Sequence, residues 1–299
     1  MKNLRSLPVV AFVFFLLVNL VQAVEEKKPT DDLKRSENVE ELKAGSKKSN
    51  PTDQVKLKPG QLRNLAFEET EPDFTFPARK KRYFYQGWRK GKCVALTFDD
   101  GPNPIYTAPL LALLRKKKVP ATFFLLGQNV KDHPHIVRQI VESGCEVANH
   151  SFTHPNMRKI SVEKIREELV KTQKEIEKIS GVTPRCLRLP YGISSQDVAR
   201  LAYENHLDIL YWSIDTNDWK KDVTKKDIVK RVLNDVEGGS IILMHDKSRK
   251  VLESVEDIID PIHERGFEFV TCSELVHQVR LNRYMEKKEN QKDIRKLKP

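Results

Sequence analysis

From Cys93 onward, short runs rich in β-branched and aromatic residues alternate with stretches whose apolar residues recur at helical spacing. Parallel strands need a crossover connection, usually a helix, so this alternation predicts an α/β fold with a parallel sheet covered by helices. A barrel and an open doubly wound sheet both satisfy the pattern, and both place functional residues at the carboxyl ends of the strands. The predicted strands are Cys93–Phe98, Ala121–Leu126, Cys145–Asn149, Cys186–Leu189, Asp208–Ser213, Ser240–Met244 and Phe267–Thr271.

The longest helical pattern runs over Val162–Ile179, where Ser161 can cap the first turn and Gly181, followed by Pro184, ends the helix. Shorter patterns fill most of the remaining gaps between the strands. They are Thr107–Lys118, Ile136–Val141, Lys226–Val236 and Val251–His263.

The first 23 residues have the pattern of a secretory signal peptide. Lys2 and Arg5 precede an apolar stretch from Leu7 to Val21, and the small residue Ala23 follows it. The alternative is a retained membrane anchor, but the stretch is shorter than the roughly 20 residues that span a bilayer. We therefore expect cleavage after Ala23, an exported chain that is periplasmic or secreted, and no stable membrane insertion after cleavage.

The rest of the chain divides by composition. Residues 24–75 are mostly charged, Ser, Thr, Asn and Pro, and such a segment buries too little apolar area to offset its ordering entropy. We predict that it forms a flexible charged tether. Residues 76–283 carry the strand and helix pattern and form one predicted domain, and residues 284–299 form a basic tail.

The formal net charge of +11 suggests nucleic acid as a partner. The excess lies in the flanks, however. Lys2 and Arg5 leave with the signal peptide, residues 79–92 contain seven basic residues and no acidic one, and residues 284–299 contain six basic residues against three acidic. The remainder is close to neutral, so we expect no nucleic-acid partner.

Aromatic residues accompany the basic ones just before the first long strand. Tyr83, Phe84, Tyr85 and Trp88 lie between two basic clusters. Aromatics mixed with Lys and Arg can bind nucleic acid or an anionic polymer. The alternative, which we favour, is a first strand or clamp that packs its aromatics on the domain and leaves its lysines in solvent.

Polar residues follow the predicted strands. Asp99-Asp100-Gly101-Pro102 comes after the first strand, and His150-Ser151-Phe152-Thr153-His154 after the third. Two histidines four residues apart can bind one metal ion, and an aspartate from a neighbouring strand end completes a two-His, one-carboxylate set. Such a set leaves a position open, which is typical of a catalytic rather than a structural zinc site.

Three more groups of polar residues occupy equivalent positions. Arg188-Leu189-Pro190-Tyr191, Asp218-Trp219 and Leu243-Met244-His245 each lie at or beyond the end of a predicted strand. Taken singly, they fit a buried ion pair, a core tryptophan and a core histidine. Their shared position at strand ends favours a single site.

Together these groups resemble the five ordered motifs of polysaccharide deacetylases. This family contains the chitooligosaccharide deacetylase homology domain and is also called carbohydrate esterase family 4. The motifs are Thr97-Phe98-Asp99-Asp100-Gly101-Pro102, His150-Ser151-Phe152-Thr153-His154, Arg188-Leu189-Pro190-Tyr191, Asp218-Trp219 and Leu243-Met244-His245. The resemblance covers about Lys92 to Val279. It implies a distorted (β/α) barrel, often of seven strands, that removes acetyl groups from sugars in a metal-dependent reaction.

The resemblance also assigns the metal ligands and the base. Asp100, His150 and His154 would hold one divalent metal ion, with zinc preferred and cobalt or manganese as alternatives. Asp99 would be the general base, and Arg188 would orient it.

Further roles carry over to the other motifs. His245 would be the general acid, polarised by Asp218, and the backbone N–H of Tyr191 would help bind the oxyanion. Leu243 would line the pocket for the acetyl methyl group, and Trp219 would contact the substrate.

Export and positive charge rank the acetylated polysaccharides that this chain would meet. Peptidoglycan carries peptide carboxylates, so long-range attraction to basic flanks favours its N-acetylglucosamine first. Chitin oligomers come next, then poly-N-acetylglucosamine or acetylxylan. An inactive carbohydrate-binding module on the same fold is the alternative from another class. We expect a monomer.

The four cysteines lie on or beside predicted strands. Buried free thiols suit such positions, although an exported chain permits disulfides. We expect free thiols at Cys93, Cys145, Cys186 and Cys272, with no part in the metal site.

Overall fold

The computed structural model of the protein describes residues 83–296, with side chains through residue 289. The predicted signal peptide, 1–23, and tether, 24–75, lie outside the described residues, as do residues 297–299 of the predicted tail.

The described part of the chain contains nine strands, most of them short. They are β1 (Tyr83–Phe84), β2 (Cys93–Gly101), β3 (Thr122–Leu125), β4 (Glu146–Asn149), β5 (Cys186–Leu187), β6 (Asp208–Leu210), β7 (Ile214–Asp215), β8 (Ile241–His245) and β9 (Glu268–Phe269).

Helices connect most of these strands. They are α1 (Thr107–Lys117), α2 (Gly127–Asp132), α3 (Pro134–Glu142), α4 (Val162–Ser180), α5 (Gln196–Glu204), α6 (Lys225–Asp235), α7 (Arg249–Glu264) and α8 (Cys272–Lys296). Short 3₁₀ helices occupy Met157–Lys159 and Pro190–Gly192.

The strand order β1-β6-β5-β4-β3-β2-β8-β7 places β6 and β7 towards opposite ends of a parallel sheet, while β9 pairs with β2. Laid flat, the seven strands from β6 to β7 would span about 29 Å at the usual spacing of about 4.8 Å. Residues 211–213 nevertheless join β6 to β7 directly, and a link of that length reaches at most about 14 Å. The sheet must therefore curl, which confirms the distorted (β/α) barrel.

The side chains of strand β2 alternate between two hydrophobic cores. The alternate apolar residues from Val94 to Phe98 pack in the core beneath the covering helices. Ala95 belongs instead to a second core, which also contains Cys272 at the start of α8. Because side chains alternate along a strand, Thr97 and Asp99 lie on the same side as Ala95, in the barrel interior.

Helix ends follow local signals. Helix α4 begins as predicted, because the side chain of Ser161 accepts a hydrogen bond from the backbone N–H of Lys164, and Gly181 ends it in the left-handed conformation. At the start of α6, Thr224 and Asp227 each accept a hydrogen bond from the other's backbone N–H.

Other expectations need correction. The predicted strand Asp208–Ser213 ends early: β6 stops at Leu210, and a separate strand, β7, begins at Ile214 after the chain has crossed from one end of the sheet to the other. The predicted strand Phe267–Thr271 is only two residues long, and helices α2, α5 and α8 were not predicted. Residues 284–296, which we set apart as a tail, continue helix α8.

The segment before β2 contains the first strand that its aromatic residues indicated, β1. All four cysteines are free thiols; Cys93 is partly exposed, and the other three are buried. Burial raises the pKa of the Cys272 thiol to about 12.

Within residues 83–296, no helix combines the length and the apolar character needed to cross a membrane.

A close backbone approach fastens the segment after β1 to the loop before β8. A Cβ added at Gly238 would lie well under 3.0 Å from the carbonyl oxygens of Arg89 and Gly91. We expect Gly238→Ala to lower the free energy of unfolding by about 2 kcal/mol or more, because backbone cannot move aside cheaply. Denaturant unfolding followed by circular dichroism measures this loss.

Gly181→Ala is the matched control. Gly181 has φ +69°, and nothing lies within 4 Å of an added Cβ. That variant should lose only about 1 kcal/mol, from the left-handed backbone. Equal losses in the two variants would contradict the proposed close approach.

Candidate active site

Two consecutive aspartates at the end of β2 converge on one imidazole. Oδ2 of Asp99 lies 3.8 Å and Oδ1 of Asp100 lies 3.4 Å from Nε2 of His150. Adjacent side chains on a regular strand point to opposite faces, but the pairing of β2 with β3 shifts register between Asp99 and Gly101, and Asp100 has φ +70°. This bulge turns the second carboxylate towards the first.

His154 completes a cluster with Asp100 and His150. Its Nε2 lies 3.5 Å from Oδ1 of Asp100, and one ligand atom from each residue falls within 4.8 Å of the others. Oδ1 of Asp100 is buried and has no hydrogen-bond partner. An ionised oxygen without a partner, facing two imidazole nitrogens, is what a divalent metal ion would satisfy, so these residues fit the ion that their types predicted.

The protonation of this cluster favours metal binding. Burial alone would raise the pKa of Asp100, but neighbouring His150 and Lys247 hold it well below its ordinary value. Burial, followed by the proximity of His150, lowers the pKa of His154. An ionised carboxylate and a neutral imidazole are the forms in which these side chains bind metals.

Hydrogen bonds outside the metal cluster orient the two histidines. Nδ1 of His150 donates to the backbone carbonyl of Arg188 at 2.8 Å, since a carbonyl can only accept, and this leaves Nε2 free as a ligand. The loop between the histidines is held by the buried carboxylate of Glu168, which accepts bonds from the backbone N–H groups of Phe152 and Thr153.

Asp99 is held by Arg188. Nη1 of Arg188 donates to Oδ1 of Asp99 at 2.7 Å and to Oγ1 of Thr97 at 2.8 Å, and both charged side chains are buried. Oδ2 of Asp99 is the oxygen nearer His150. The pair therefore presents one carboxylate oxygen to the metal cluster and uses the other to fix its orientation.

His245 and Asp218 form a second pair on the neighbouring strand. The register of β2 and β8 sets His245 directly beside Asp99. Asp218 accepts from the backbone N–H of His245 at 2.8 Å and from its Nδ1 at 2.9 Å. Burial opposes a charged imidazole, but the hydrogen bond and charge of Asp218 outweigh it and raise the pKa of His245.

The remaining predicted site residues lie around this centre. Tyr191 follows β5 with φ +58°, its ring is 4.7 Å from that of His154, and its side chain is 65% exposed. Leu243 is buried in β8, and Trp219, next to Asp218, is exposed. A buried apolar residue and exposed aromatic rings beside a polar cluster are suited to contact a substrate.

Two residues at the site were missed from the sequence. Lys247, two residues after His245, forms an ion pair with Oδ2 of Asp100. No pattern in the neighbouring sequence indicated this contact. Glu168 could have been found, because it lies three residues after Ile165 on the apolar face of α4, where a carboxylate needs a buried partner.

A model of the polysaccharide deacetylase family matches residues 86–210. The peptidoglycan-N-acetylmuramic acid deacetylase of Bacillus subtilis is 41% identical over 184 residues, which cover 62% of this chain and 38% of the relative. The peptidoglycan-N-acetylglucosamine deacetylase of Bacillus cereus is 36% identical over 196 residues, covering 64% of this chain and 71% of the relative. This chain thus spans less than half the length of the first relative.

Solved structures are similar as well. A peptidoglycan N-acetylglucosamine deacetylase in complex with 4-naphthalen-1-yl-N-oxidanyl-benzamide is 34% identical, with a TM-score of 0.63 over 67% of this chain and 92% of that one. A CE4 family pseudoenzyme from Bacillus anthracis is 32% identical, with a TM-score of 0.64 over 67% of this chain and 70% of that one.

The raised pKa of His245 depends on Asp218. Asp218→Asn removes the charge that favours the imidazolium, so the pKa of His245 should fall and the ring should lose its proton at lower pH than in the unaltered protein. Titration of the His245 ring by NMR measures the shift. Asp222→Asn, an exposed carboxylate in the same loop, should leave the titration unchanged. An unaltered midpoint in Asp218→Asn would contradict this origin of the shift.

Proposed function

Since the chain belongs to the polysaccharide deacetylase family, we propose that it is a metal-dependent hydrolase that removes N-acetyl groups from a polysaccharide and releases acetate. The observation that carries this proposal is that two adjacent aspartates have different partners. Asp100 faces the two histidines, whereas Asp99 is clamped by Arg188 and keeps one oxygen directed at the same cluster.

We propose that Asp100, His150 and His154 hold one divalent metal ion, with zinc preferred and cobalt or manganese as alternatives. The donor set of two imidazoles and one carboxylate, together with the unpartnered buried oxygen of Asp100, supports this assignment. The bound ion would supply Lewis-acid chemistry, polarising the acetyl carbonyl and making a nearby water more acidic.

Asp99 is the proposed general base. Its Oδ1 is engaged by Arg188, so Oδ2 is the oxygen available to take a proton from the attacking water. The hydrogen bond from Arg188 holds that carboxylate aligned before substrate arrives, which a proton acceptor requires. Arg188 acts here as a positioning residue, because it works through Asp99.

His245 is the proposed general acid. An amine leaves an amide only when it receives a proton, and the pKa of His245 is raised, so its ring keeps a proton to higher pH than an ordinary histidine. Nδ1 is bound to Asp218, which leaves Nε2 to deliver the proton. The register of β2 and β8 places this acid beside the base Asp99.

The backbone N–H of Tyr191 is proposed to bind the oxyanion that forms when water attacks the carbonyl. The left-handed conformation of Tyr191 supports this role, since it re-aims the backbone just past the end of β5. We propose that Leu243 contacts the acetyl methyl group and that Trp219 contacts the sugar.

N-acetylglucosamine of peptidoglycan is the proposed substrate. The relatives named above as peptidoglycan deacetylases support this choice, and so does the basic character of residues 79–92 and 284–299, which would attract a polymer with carboxylates. Chitin oligomers and poly-N-acetylglucosamine are the next candidates. We propose that the chain is exported, through the segment 1–23, and works as a monomer on polymer in the periplasm or the medium.

The competing function is carbohydrate binding without turnover. The similarity to the pseudoenzyme from Bacillus anthracis, which is 32% identical, supports this second function. Against it, this chain retains both carboxylates, both histidines of the cluster, and the Asp218–His245 pair at hydrogen-bond distance.

Acetate release tests the function and the substrate together. The full chain, incubated with intact peptidoglycan and separately with chitopentaose, should release acetate faster from peptidoglycan. Removing the metal with a chelator should stop the release, and added Zn²⁺ should restore it. Release from neither polymer would contradict the proposed activity, and faster release from chitopentaose would reverse the order of substrates.

The role of Asp99 is tested by Asp99→Asn. The amide cannot accept the proton, so we expect kcat to fall by at least about a hundredfold, the lower range for loss of acid–base catalysis. Metal content, measured by atomic emission, should stay near that of the unaltered protein, because Asp99 is not among the proposed ligands. His150→Ala is the contrasting control and should lose the metal. Normal acetate release by Asp99→Asn would refute the assignment.

A further inference from the structure

The aromatic segment at the start of the domain has no part in the proposed reaction. It forms β1, the edge strand next to β6, with Phe84 directly beside Leu210. Tyr85 and Tyr211 are the residues that follow these two partners, and the backbone N–H of Tyr211 donates to the carbonyl of Phe84 at 2.8 Å. Their rings stack, with centroids 4.4 Å apart and planes inclined by 12°.

This stack is exposed yet firmly mounted. One face of the Tyr85 ring is covered by Tyr211, but the residue is still 58% exposed, so its other face is open to solvent. Phe84 is buried and anchors the strand, and the hydroxyl of Tyr83 is 2.9 Å from Oγ of Ser194. An aromatic face that stays in contact with water contributes no free energy of burial. A ligand that covered this face would supply that gain.

Tyr85 and Tyr211 follow the carboxyl ends of β1 and β6, the edge of the sheet at which the candidate active site lies, and Tyr211 packs on the outer side of that edge. Parallel strands end at one edge of the sheet, and β1, β6 and β5 are consecutive, so Tyr85 lies about 10 Å from the strand that leads into Arg188. Arg188 joins the two places: it donates to the carbonyl of Tyr211 at 3.0 Å and to Asp99 at 2.7 Å. Ser194, the partner of Tyr83, lies two residues after the 3₁₀ helix Pro190–Gly192 that contains Tyr191.

We propose that the Tyr85–Tyr211 stack is a subsite for a sugar ring of the bound polysaccharide, separate from the ring whose acetyl group is removed. This inference rests on the proposed function for the identity of the ligand. One face of a pyranose ring presents C–H groups, which pack on the electron-rich face of an aromatic side chain. A neutral N-acetylated sugar needs no charged partner, and the stack offers it the open face of the Tyr85 ring.

A subsite of this kind has a consequence for chain length. We expect a ligand of two sugars at the reacting position to leave the stack uncovered, and a ligand of five sugars to cover both. Tyr85 should therefore contribute to the affinity for the longer ligand alone.

The test compares two ligands in one protein. Isothermal titration uses the full chain with Zn²⁺ in an Asp99→Asn background, which prevents turnover, and measures the Kd for chitopentaose and for chitobiose. Tyr85→Ala should raise the Kd for chitopentaose on the order of tenfold and leave the Kd for chitobiose within about twofold. Tyr85→Phe, which keeps the ring, should bind both ligands as the background protein does.

Tyr203→Ala removes an exposed tyrosine on α5 and serves as the matched control; it should bind both ligands normally. The subsite is refuted if Tyr85→Ala binds chitopentaose normally, if it weakens both ligands equally, or if Tyr203→Ala shows the same loss. Acetate release by the unaltered chain is assayed in parallel. Failure of that assay would count against the proposed function, while the titrations would still decide the subsite.

Discussion

The buried guanidinium of Arg188 is the contact on which the rest of the site depends. It is fully buried and donates to the side chains of Thr97 and Asp99 and to the carbonyl oxygens of Leu210 and Tyr211. Burying a charge is costly unless it is paired and hydrogen-bonded, and breaking such a pair costs about 3–5 kcal/mol. One side chain thus fixes the proposed base and joins β2, β5 and β6, including the point where the chain crosses to close the barrel.

Backbone strain is concentrated around this contact. Asp100, His154 and Tyr191 all adopt positive φ, a conformation that costs a residue with a side chain about 1 kcal/mol or more. Such strain persists only where neighbours impose it. Asn129 donates to the carbonyl of Asp100, and Glu168 holds the loop that ends at His154. The contacts that appear merely structural are therefore what aim the functional groups.

Local signals were sufficient to predict the ends of helix α4, where the determining contacts are close in sequence. Ser161 and Gly181 marked the ends of α4, because capping needs only neighbouring backbone groups. Long-range contacts were not predictable in the same way. The end of β6 at Leu210 and the start of a separate strand at Ile214 depend on the curl of the whole sheet, and helix α8 depends on a core that no local pattern reveals.

By itself, the sequence determined the α/β class, the order of the strands that carry functional residues, and the chemical types at each strand end, because alternation and residue type are written locally. The family resemblance assigned Asp99 to Arg188 and Asp100 to the histidines, but only the tertiary structure gave the physical cause, a bulge that turns the two adjacent carboxylates to different partners. The tertiary structure also brought Tyr85 against Tyr211 across more than a hundred residues, because only sheet pairing makes such distant positions neighbours.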